Sequence, residues 1–327
     1  MATATSERLP AATTKTGART RRAPRGPNAS GWAMIAPFFI IYALFLLWPV
    51  IGALWASLFD SSLGVTDGGF RGLGNYGELL GDGDFWASMW HTLLFTLLST
   101  PPLVLIALGL ALLVNRALPA QWLFRLAFFA PYVLPVSVAV LLFNWLMQPG
   151  FGLINNTLVQ LGFAEVNWLG DEGTAMFSVV IMTVWWTLGF NFVLYIAALQ
   201  DIPKEIYEAA AVDGATTWQQ TKSIAIPLLA PTTMLVLVLQ VIASLKVFDQ
   251  IYIWLQGGPN YSTRPAVQYI FESAFTQYRV GYASAASIVF FLAIILVSLA
   301  LFALQRRVQR SQGQDAPAAT ANVEPVK

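Results

Sequence analysis

Lys246 and Asp249 stand three residues apart in an otherwise mostly apolar run, LQVIASLKVFDQIYIWLQ, within a chain that is only 11% charged. On a continuous helix this spacing puts an ammonium and a carboxylate on one face. Two chemistries fit: charged groups in a transport pathway, or a structural ion pair. Beside them Gln240, Ala243, Ser244 and Val247 recur at i, i+3, i+4 and i+7, a single helical stripe. Two polar groups with two small or modest apolar ones can line a path for a hydroxylated solute. Helix packing through small residues is the competing reading. Upstream, TVWWTLGFNFVLYIAALQ adds the aromatic faces of Trp185, Trp186, Phe190 and Phe192, the amide of Asn191 and a Gly189 that permits close approach. Sugar rings have apolar C–H faces and polar edges, which aromatic rings and amides suit. Lipid-facing or packed aromatics are the alternative.

Several chemistries are missing. There is no G-x-x-x-x-G-K-[ST] phosphate loop, so this chain is not expected to bind and hydrolyse ATP. No G-x-S-x-G, no H-E-x-x-H and no paired intramembrane carboxylates occur. The chain has no cysteine and one histidine, which excludes thiolate chemistry and a multi-histidine metal site. His91 opens an apolar span beside Thr92 and is expected to serve as a helix-end hydrogen-bonding group. A net charge of +1 argues against nucleic acid as a partner.

The elements that must position these residues are membrane spans. The chain is 57% hydrophobic, with 22 Phe and 12 Trp, whereas soluble domains run nearer about 45–50% apolar. Six apolar stretches, at about 32–59, 88–114, 122–147, 176–199, 228–255 and 282–304, each exceed the ~20 residues needed to cross a bilayer. Prolines fall in or near the spans, with Pro135 the best candidate for a kink. Residues 1–30 form a basic tail, disordered by composition, 31–310 the membrane domain, and 311–327 a second tail. Fourteen Lys and Arg flank one side of the spans (six in the first tail, then Arg116, Arg125, Lys204, Lys222, Arg306, Arg307, Arg310 and Lys327). Three, Arg71, Arg264 and Arg279, lie on the other. The asymmetry places both termini and residues 200–227 in the cytoplasm.

The polar stretch Gln200 to Pro227 interrupts this pattern. It holds four acids, Asp201, Glu205, Glu208 and Asp213, and two lysines. Pro203 suits the first turn of a helix, and the alanine run at 209–211 favours its continuation. Gly214 supplies a left-handed close. Thr216 or Thr217 caps a second helix that Pro227 limits or follows. The expectation is a helix–turn–helix outside the membrane.

Glu208-Ala209-Ala210, three residues, Gly214, nine residues, then Ile224-Ala225-Ile226-Pro227 resembles the EAA-loop signature of permease subunits of bacterial ABC importers. Ile226 stands where Leu is usual. Phe248-Asp249, Ile251-Tyr252 and Gly257-Gly258-Pro259 are similar to the carbohydrate-permease branch, to the first of its two maltose-type subunits. The run from Tyr278 to Ala285 resembles that branch too.

The resemblance covers about residues 30–305. It implies an all-α integral membrane protein with the fold of type I importer permeases: six transmembrane helices and a cytoplasmic coupling-helix loop. Glu208, Ala209, Ala210, Asp213, Gly214, Ile224 and Pro227 would form the coupling surface for a separate ATPase dimer. ATP and Mg would bind there, with no cofactor in this chain. A second homologous permease and an extracytoplasmic sugar-binding protein would complete the importer, in a bacterial plasma membrane. The sugar contacts of the maltose-type subunit would fall on Leu188, Gly189, Phe192, Gln240, Ala243, Ser244, Val247 and Asp249. Asn191 and Lys246 join them from the residue reading above. Ala243 and Val247 differ from the maltose-type pattern. Two rival readings remain: a stand-alone carrier or channel using Lys246 and Asp249 as an ion-linked pair, and an intramembrane enzyme.

Overall fold

The computed structural model describes residues 29–62, 68–115 and 120–314. The segments 1–28 and 315–327, which hold most of the two expected tails, lie outside them, as do 63–67 and 116–119, with Arg116. Of the described residues, those up to Ile51 form one compact unit and those from Gly52 a second.

The first unit contains α1 (Ala29–Tyr42), a π-helical turn (Ala43–Leu47) and the start of α2 (Trp48–Ala56). Pro37 sits inside α1. Together these give an apolar helical stretch from Met34 to Ala56, 23 residues long, enough to cross a bilayer.

The second unit is built on two long helices, α4 (Gly83–Val114) and α8 (Glu172–Gln200), which pack along each other. Short α3 (Gly74–Leu80) precedes α4. Between α4 and α8 come α5 (Gln121–Val133), α6 (Val136–Leu146) and α7 (Leu153–Gln160). After α8 come α9 (Lys204–Val212), α10 (Thr217–Gln220), a π-helical turn (Thr221–Ala225), α11 (Ile226–Leu228), α12 (Ala230–Leu245), α13 (Asp249–Trp254) and α14 (Ala266–Phe271). A third π-helical turn (Glu272–Thr276) leads to α15 (Val280–Gln314). One core joins Val104, Ala107 and Ala111 of α4 to Phe192, Tyr195 and Leu199 of α8 and Val236 of α12. A second joins Phe95, Val179, Val247 and Ile251.

Four described helices are long and apolar enough to cross a membrane, or six if each of two bent pairs counts as one span. The bends exceed what the sequence predicts. At Leu134–Pro135 the axis turns by 100° between α5 and α6, where a kink is expected. Pro135 lacks an N–H and Leu134 is extended, as a residue before proline must be. Between α11 and α12 the turn is 59°.

At the end of the helices opposite residues 200–227, a polar network fixes the chain. Asp82 caps α4, accepting from the amides of Asp84 at 2.9 Å and Phe85 at 3.2 Å. Its other oxygen accepts from the hydroxyls of Tyr269 and Tyr282. Burial alone would raise the Asp82 carboxyl, but these hydroxyl and amide donors hold it below its ordinary value. Arg264, buried, donates to Ser88 Oγ at 3.3 Å and lies 3.6 Å from both Asp84 and Glu272 carboxylates. His91 Nδ1 lies 3.2 Å from the Arg264 carbonyl, a hydrogen bond made from within α4 and not at a helix end as expected.

Candidate functional site: a cavity with aromatic and charged walls and an exposed loop

Lys246 and Asp249 are not on one helical face. α12 ends at Leu245, Lys246 is its C-cap, and α13 starts at Asp249. Phe248 between them has φ −153° and ψ −66°, far from helical. No proline or glycine causes the break. Val247 is drawn into the core with Phe95, Val179 and Ile251, and the Phe248 ring stacks on Tyr252 at 5.1 Å and meets Phe271 at 5.4 Å. Packing of these two side chains replaces the helical bonds lost. Each charge then sits at a helix end of favourable sign, Lys246 at the C-terminus of α12 and Asp249 in the first turn of α13. They form no ion pair with each other, since no salt bridge among the described residues includes either.

Both charges border a cavity of about 300 Å³ lined also by Phe95, Tyr132, Thr183, Trp186, Thr187, Phe190, Gln240, Ala243, Ser244, Val247, Phe248 and Gln250. The whole stripe Gln240, Ala243, Ser244 and Val247 therefore meets one cavity, as helical spacing predicts. Its members differ in how far they are exposed. Ala243 is open, whereas Gln240, Ser244 and Val247 are largely buried. A buried polar chain explains this. Asn191 Nδ2 donates to Gln240 Oε1 at 3.0 Å, Gln240 Nε2 donates to Ser244 Oγ at 3.1 Å, and Ser244 Oγ meets Ser99 Oγ at 3.1 Å. Three helices, α8, α12 and α4, are thereby tied at one level, and each of these four buried side chains has a partner.

The residues expected from α8 take other places. Leu188, Gly189, Asn191 and Phe192 do not line the cavity. Gly189 is the contact point with α5: a Cβ there would lie 2.6 Å from the Phe128 carbonyl oxygen and 2.8 Å from Phe129 Cα. Phe192 is fully buried with its ring 5.4 Å from that of Phe128. Leu188 packs on the same cluster, and Asn191 acts behind the wall through Gln240. The reason is rotational. On α8 the cavity face is that of Thr183, Trp186, Thr187 and Phe190, and residues 188, 189 and 192 face α4 and α5. Of these four lining residues the sequence reading singled out the two aromatics. Tyr132, Phe95, Thr183, Thr187, Phe248 and Gln250 were missed. Thr183 and Thr187 share the i, i+3, i+4, i+7 face of α8 with Trp186 and Phe190, a local signal that could have found them; the other four reach the cavity through a bend or a neighbouring helix that no local pattern encodes.

The 200–227 stretch folds as its local signals dictate. Pro203 stands at the N-cap of α9 (φ −57°, ψ 134°), one residue before the first turn. Gly214 has φ +80°. The amide of Ala215 bonds to the Ala210 carbonyl at 2.9 Å and that of Gly214 to Ala211 at 3.1 Å, the paired bonds of a Schellman close. Thr216 caps α10 in a reciprocal box with Gln219. Pro227 does not end the second helix. It stands at the start of α11, which runs on to the bend before α12.

Glu208, Ala209, Asp213, Gly214 and Pro227 are exposed, and Ala210 and Ile224 half-buried. Buried Ala225 and Leu229 anchor the loop on the ends of α4 and α8, against Val114 and Leu199. Val212 and Trp218 are exposed by 88% and 65%. Two apolar side chains thus stand open on an otherwise polar loop. The sequence reading passed over both.

A family model described as "Binding-protein-dependent transport system inner membrane component" matches residues 77–313. The sulfoquinovosyl glycerol transport system permease protein SmoG of Agrobacterium fabrum is 34% identical over 282 residues, which is 85% of this chain and 90% of that protein. The trehalose/maltose transport system permease protein MalF of Thermococcus litoralis is 34% identical over 267 residues, 82% of this chain and 89% of that one. Among solved structures, a chain from a bacterial ABC transporter involved in the import of the acidic polysaccharide alginate superposes with a TM-score of 0.74 at 24% identity, covering 85% of this chain and 96% of that one. The structural likeness is one of fold.

Proposed function

We propose, from the premise that this chain belongs to the family of binding-protein-dependent transport system inner membrane components, that it forms half of the pathway of an ATP-driven sugar importer. It is a multi-pass transport component and not an enzyme; the rival enzyme reading has no support in the family. Two permeases it resembles are named for the transport of sulfoquinovosyl glycerol and of trehalose/maltose. The observation that carries the sugar reading is the cavity: aromatic faces of Tyr132, Trp186, Phe190 and Phe248 stand beside an ammonium and a carboxylate. Ring faces take the C–H side of a sugar and the charges take its hydroxyls.

The proposed mechanism is alternating access without bond chemistry in this chain. Residues 204–227 lie on the cytoplasmic side, as the Lys and Arg asymmetry supports. They dock on an ATPase dimer through Glu208, Ala209, Ala210, Asp213, Gly214, Ile224 and Pro227, with Val212 and Trp218 as apolar anchors. A helix closed at Gly214 and seated through Ala225 and Leu229 transmits a push as a rigid body to α4, α8 and α12. A second permease completes the cavity, and an extracytoplasmic binding protein delivers the sugar. Nucleotide and Mg belong to the ATPase.

The test is reconstitution. Purified with its partners, the wild-type importer should accumulate a sugar only with ATP, and Glu208→Lys should abolish this accumulation by at least tenfold. If this chain isolates and transports alone, driven by an ion gradient, the carrier reading replaces this one. Unchanged ATP-driven uptake in Glu208→Lys removes the coupling assignment.

A further inference from the structure

α5 is held to α8 at three levels. At the end far from residues 200–227, the Trp186 indole of α8 donates to the Leu134 carbonyl at 3.0 Å. In the middle, Gly189 admits the Phe128 backbone, and the Phe128 ring lies 5.4 Å from that of Phe192. At the near end, Arg125 of α5 meets Gln200, the last residue of α8. With the Gln200 amide turned so that its oxygen faces the guanidinium, that oxygen accepts from both terminal nitrogens of Arg125, at 2.9 and 3.0 Å. The opposite orientation sets donor against donor. No salt bridge among the described residues includes Arg125, and its buried Nε has no hydrogen-bond partner among them. A guanidinium without a carboxylate is thus committed to one neutral amide by two charge-assisted bonds.

The three levels differ in kind. The middle one is van der Waals contact, which lets packed helices slide by small amounts. The far one is a single bond. The fork of Arg125 on Gln200 is directional and fixes the axial register of α5 against α8. Gln200 is also where α8 gives way to the loop: Asp201 is the C-cap of α8, and α9 begins at Lys204. At its other end α5 carries Tyr132 on the cavity wall, two turns from Arg125 and on the order of 10 Å along the axis.

We propose that Arg125 is a positioning residue for transport, its fork on Gln200 locking α5 to the base of the 200–227 loop so that a push on the loop moves the cavity wall and α5 does not slip along α8. Arg125 itself touches neither solute nor nucleotide. The proposal rests on the importer reading above.

Gln200 is exposed and Arg125 half-buried, so changing either leaves the core intact. Arg125→Met keeps the reach of the side chain and removes its donors. Gln200→Leu removes the acceptor and leaves the charge. The measurement is sugar accumulated per ATP hydrolysed, in vesicles holding the importer with its ATPase and binding protein. The probe is the radiolabelled sugar that the wild type accumulates fastest from a panel of mono- and disaccharides. Each variant is expected to lower this ratio about fivefold, within the range over which residues that carry coupling alter it, while ATP hydrolysis is retained. The double variant should fall no further than either single one, because both remove the same link. Gln200→Glu keeps an acceptor for the fork and should hold the wild-type ratio.

A merely structural role would lower the thermal unfolding midpoint and leave the ratio unmoved; that result in Arg125→Met and Gln200→Leu overturns the proposal. Losses that multiply in the double variant also overturn it, since Arg125 would then act through another partner. If Arg125→Met does not assemble with its partners, the contrast between Gln200→Leu and Gln200→Glu decides alone. A wild-type importer that accumulates no sugar with ATP removes the importer reading and this link with it, whereas wild-type accumulation with unmoved ratios in the variants removes the link only.

Discussion

The indole nitrogen of Trp186 on α8 donates to the backbone carbonyl of Leu134 at 3.0 Å, across the 100° break between α5 and α6. Pro135 cannot continue the helix, so carbonyls near the break lose their helical partners. Inside a bilayer no water replaces them, and a neighbouring span must. Trp186 does this while its ring also faces the cavity. One side chain thereby links the bend that places Tyr132 to the wall that would hold the solute.

Trp186→Phe keeps an aromatic face but leaves the Leu134 carbonyl without that donor. The expected cost is about 1–2 kcal/mol, seen as a lower midpoint in thermal unfolding of the purified protein in detergent. A midpoint equal to wild type would mean that the bend holds itself.

Gly189→Ala is expected to be disruptive out of proportion to one methyl group. The new Cβ would lie 2.6 Å from the Phe128 carbonyl oxygen, a backbone atom that cannot swing away, so α5 must shift off α8. Overpacking of this kind costs about 1–3 kcal/mol. Gly109→Ala on α4 meets nothing within 4 Å and should be neutral or slightly stabilising, because alanine is the better helix former. Paired unfolding curves and uptake rates for the two variants check the contrast.

Ala243→Phe projects a ring into the cavity from an exposed position, without disturbing the buried chain from Asn191 to Ser99. Uptake should fall by at least tenfold while co-purification of partner subunits is retained. Normal uptake would show that the solute does not pass this wall.

Acid should weaken the network around α3 and the start of α4. Hydrogen bonding from Arg279 leads the causes that hold Glu78 below its ordinary 4.5, with Arg71 adding to it, and Asp82 lies below its ordinary 3.8. Carboxyls lowered in the folded state bind protons less readily than in the unfolded chain. Their stabilisation is fully present above the ordinary values and is lost as pH falls through the lowered ones. The Tyr269 phenol, pushed up to about 12 by burial and then by its bond to Asp82, remains a donor throughout. The unfolding midpoint should therefore be flat from pH 7 to about 5 and drop below about 4.5. Asp82→Asn should start lower at pH 7 and fall less steeply; a slope equal to wild type would exclude Asp82 from the acid response.

Sequence alone determined the features that are local. Apolar content and length mark the membrane helices, because a bilayer demands about twenty apolar residues whatever lies beside them. The 200–227 loop was legible residue by residue: Gly214 takes the positive φ that its neighbours cannot, and Thr216 with Gln219 forms a box within four residues. Tertiary structure alone decided the break at Lys246–Phe248, where nothing in the helical pattern warns of it. There Val247 gains a place among Phe95, Val179 and Ile251, and Phe248 gains Tyr252 and Phe271. It also decided which face of α8 meets the cavity, through the fit of Gly189 against Phe128, so that Leu188 and Phe192 turned inward and Tyr132 came into place. These outcomes depend on contacts between spans far apart in sequence, and periodicity within one span carries no information about its neighbour's surface.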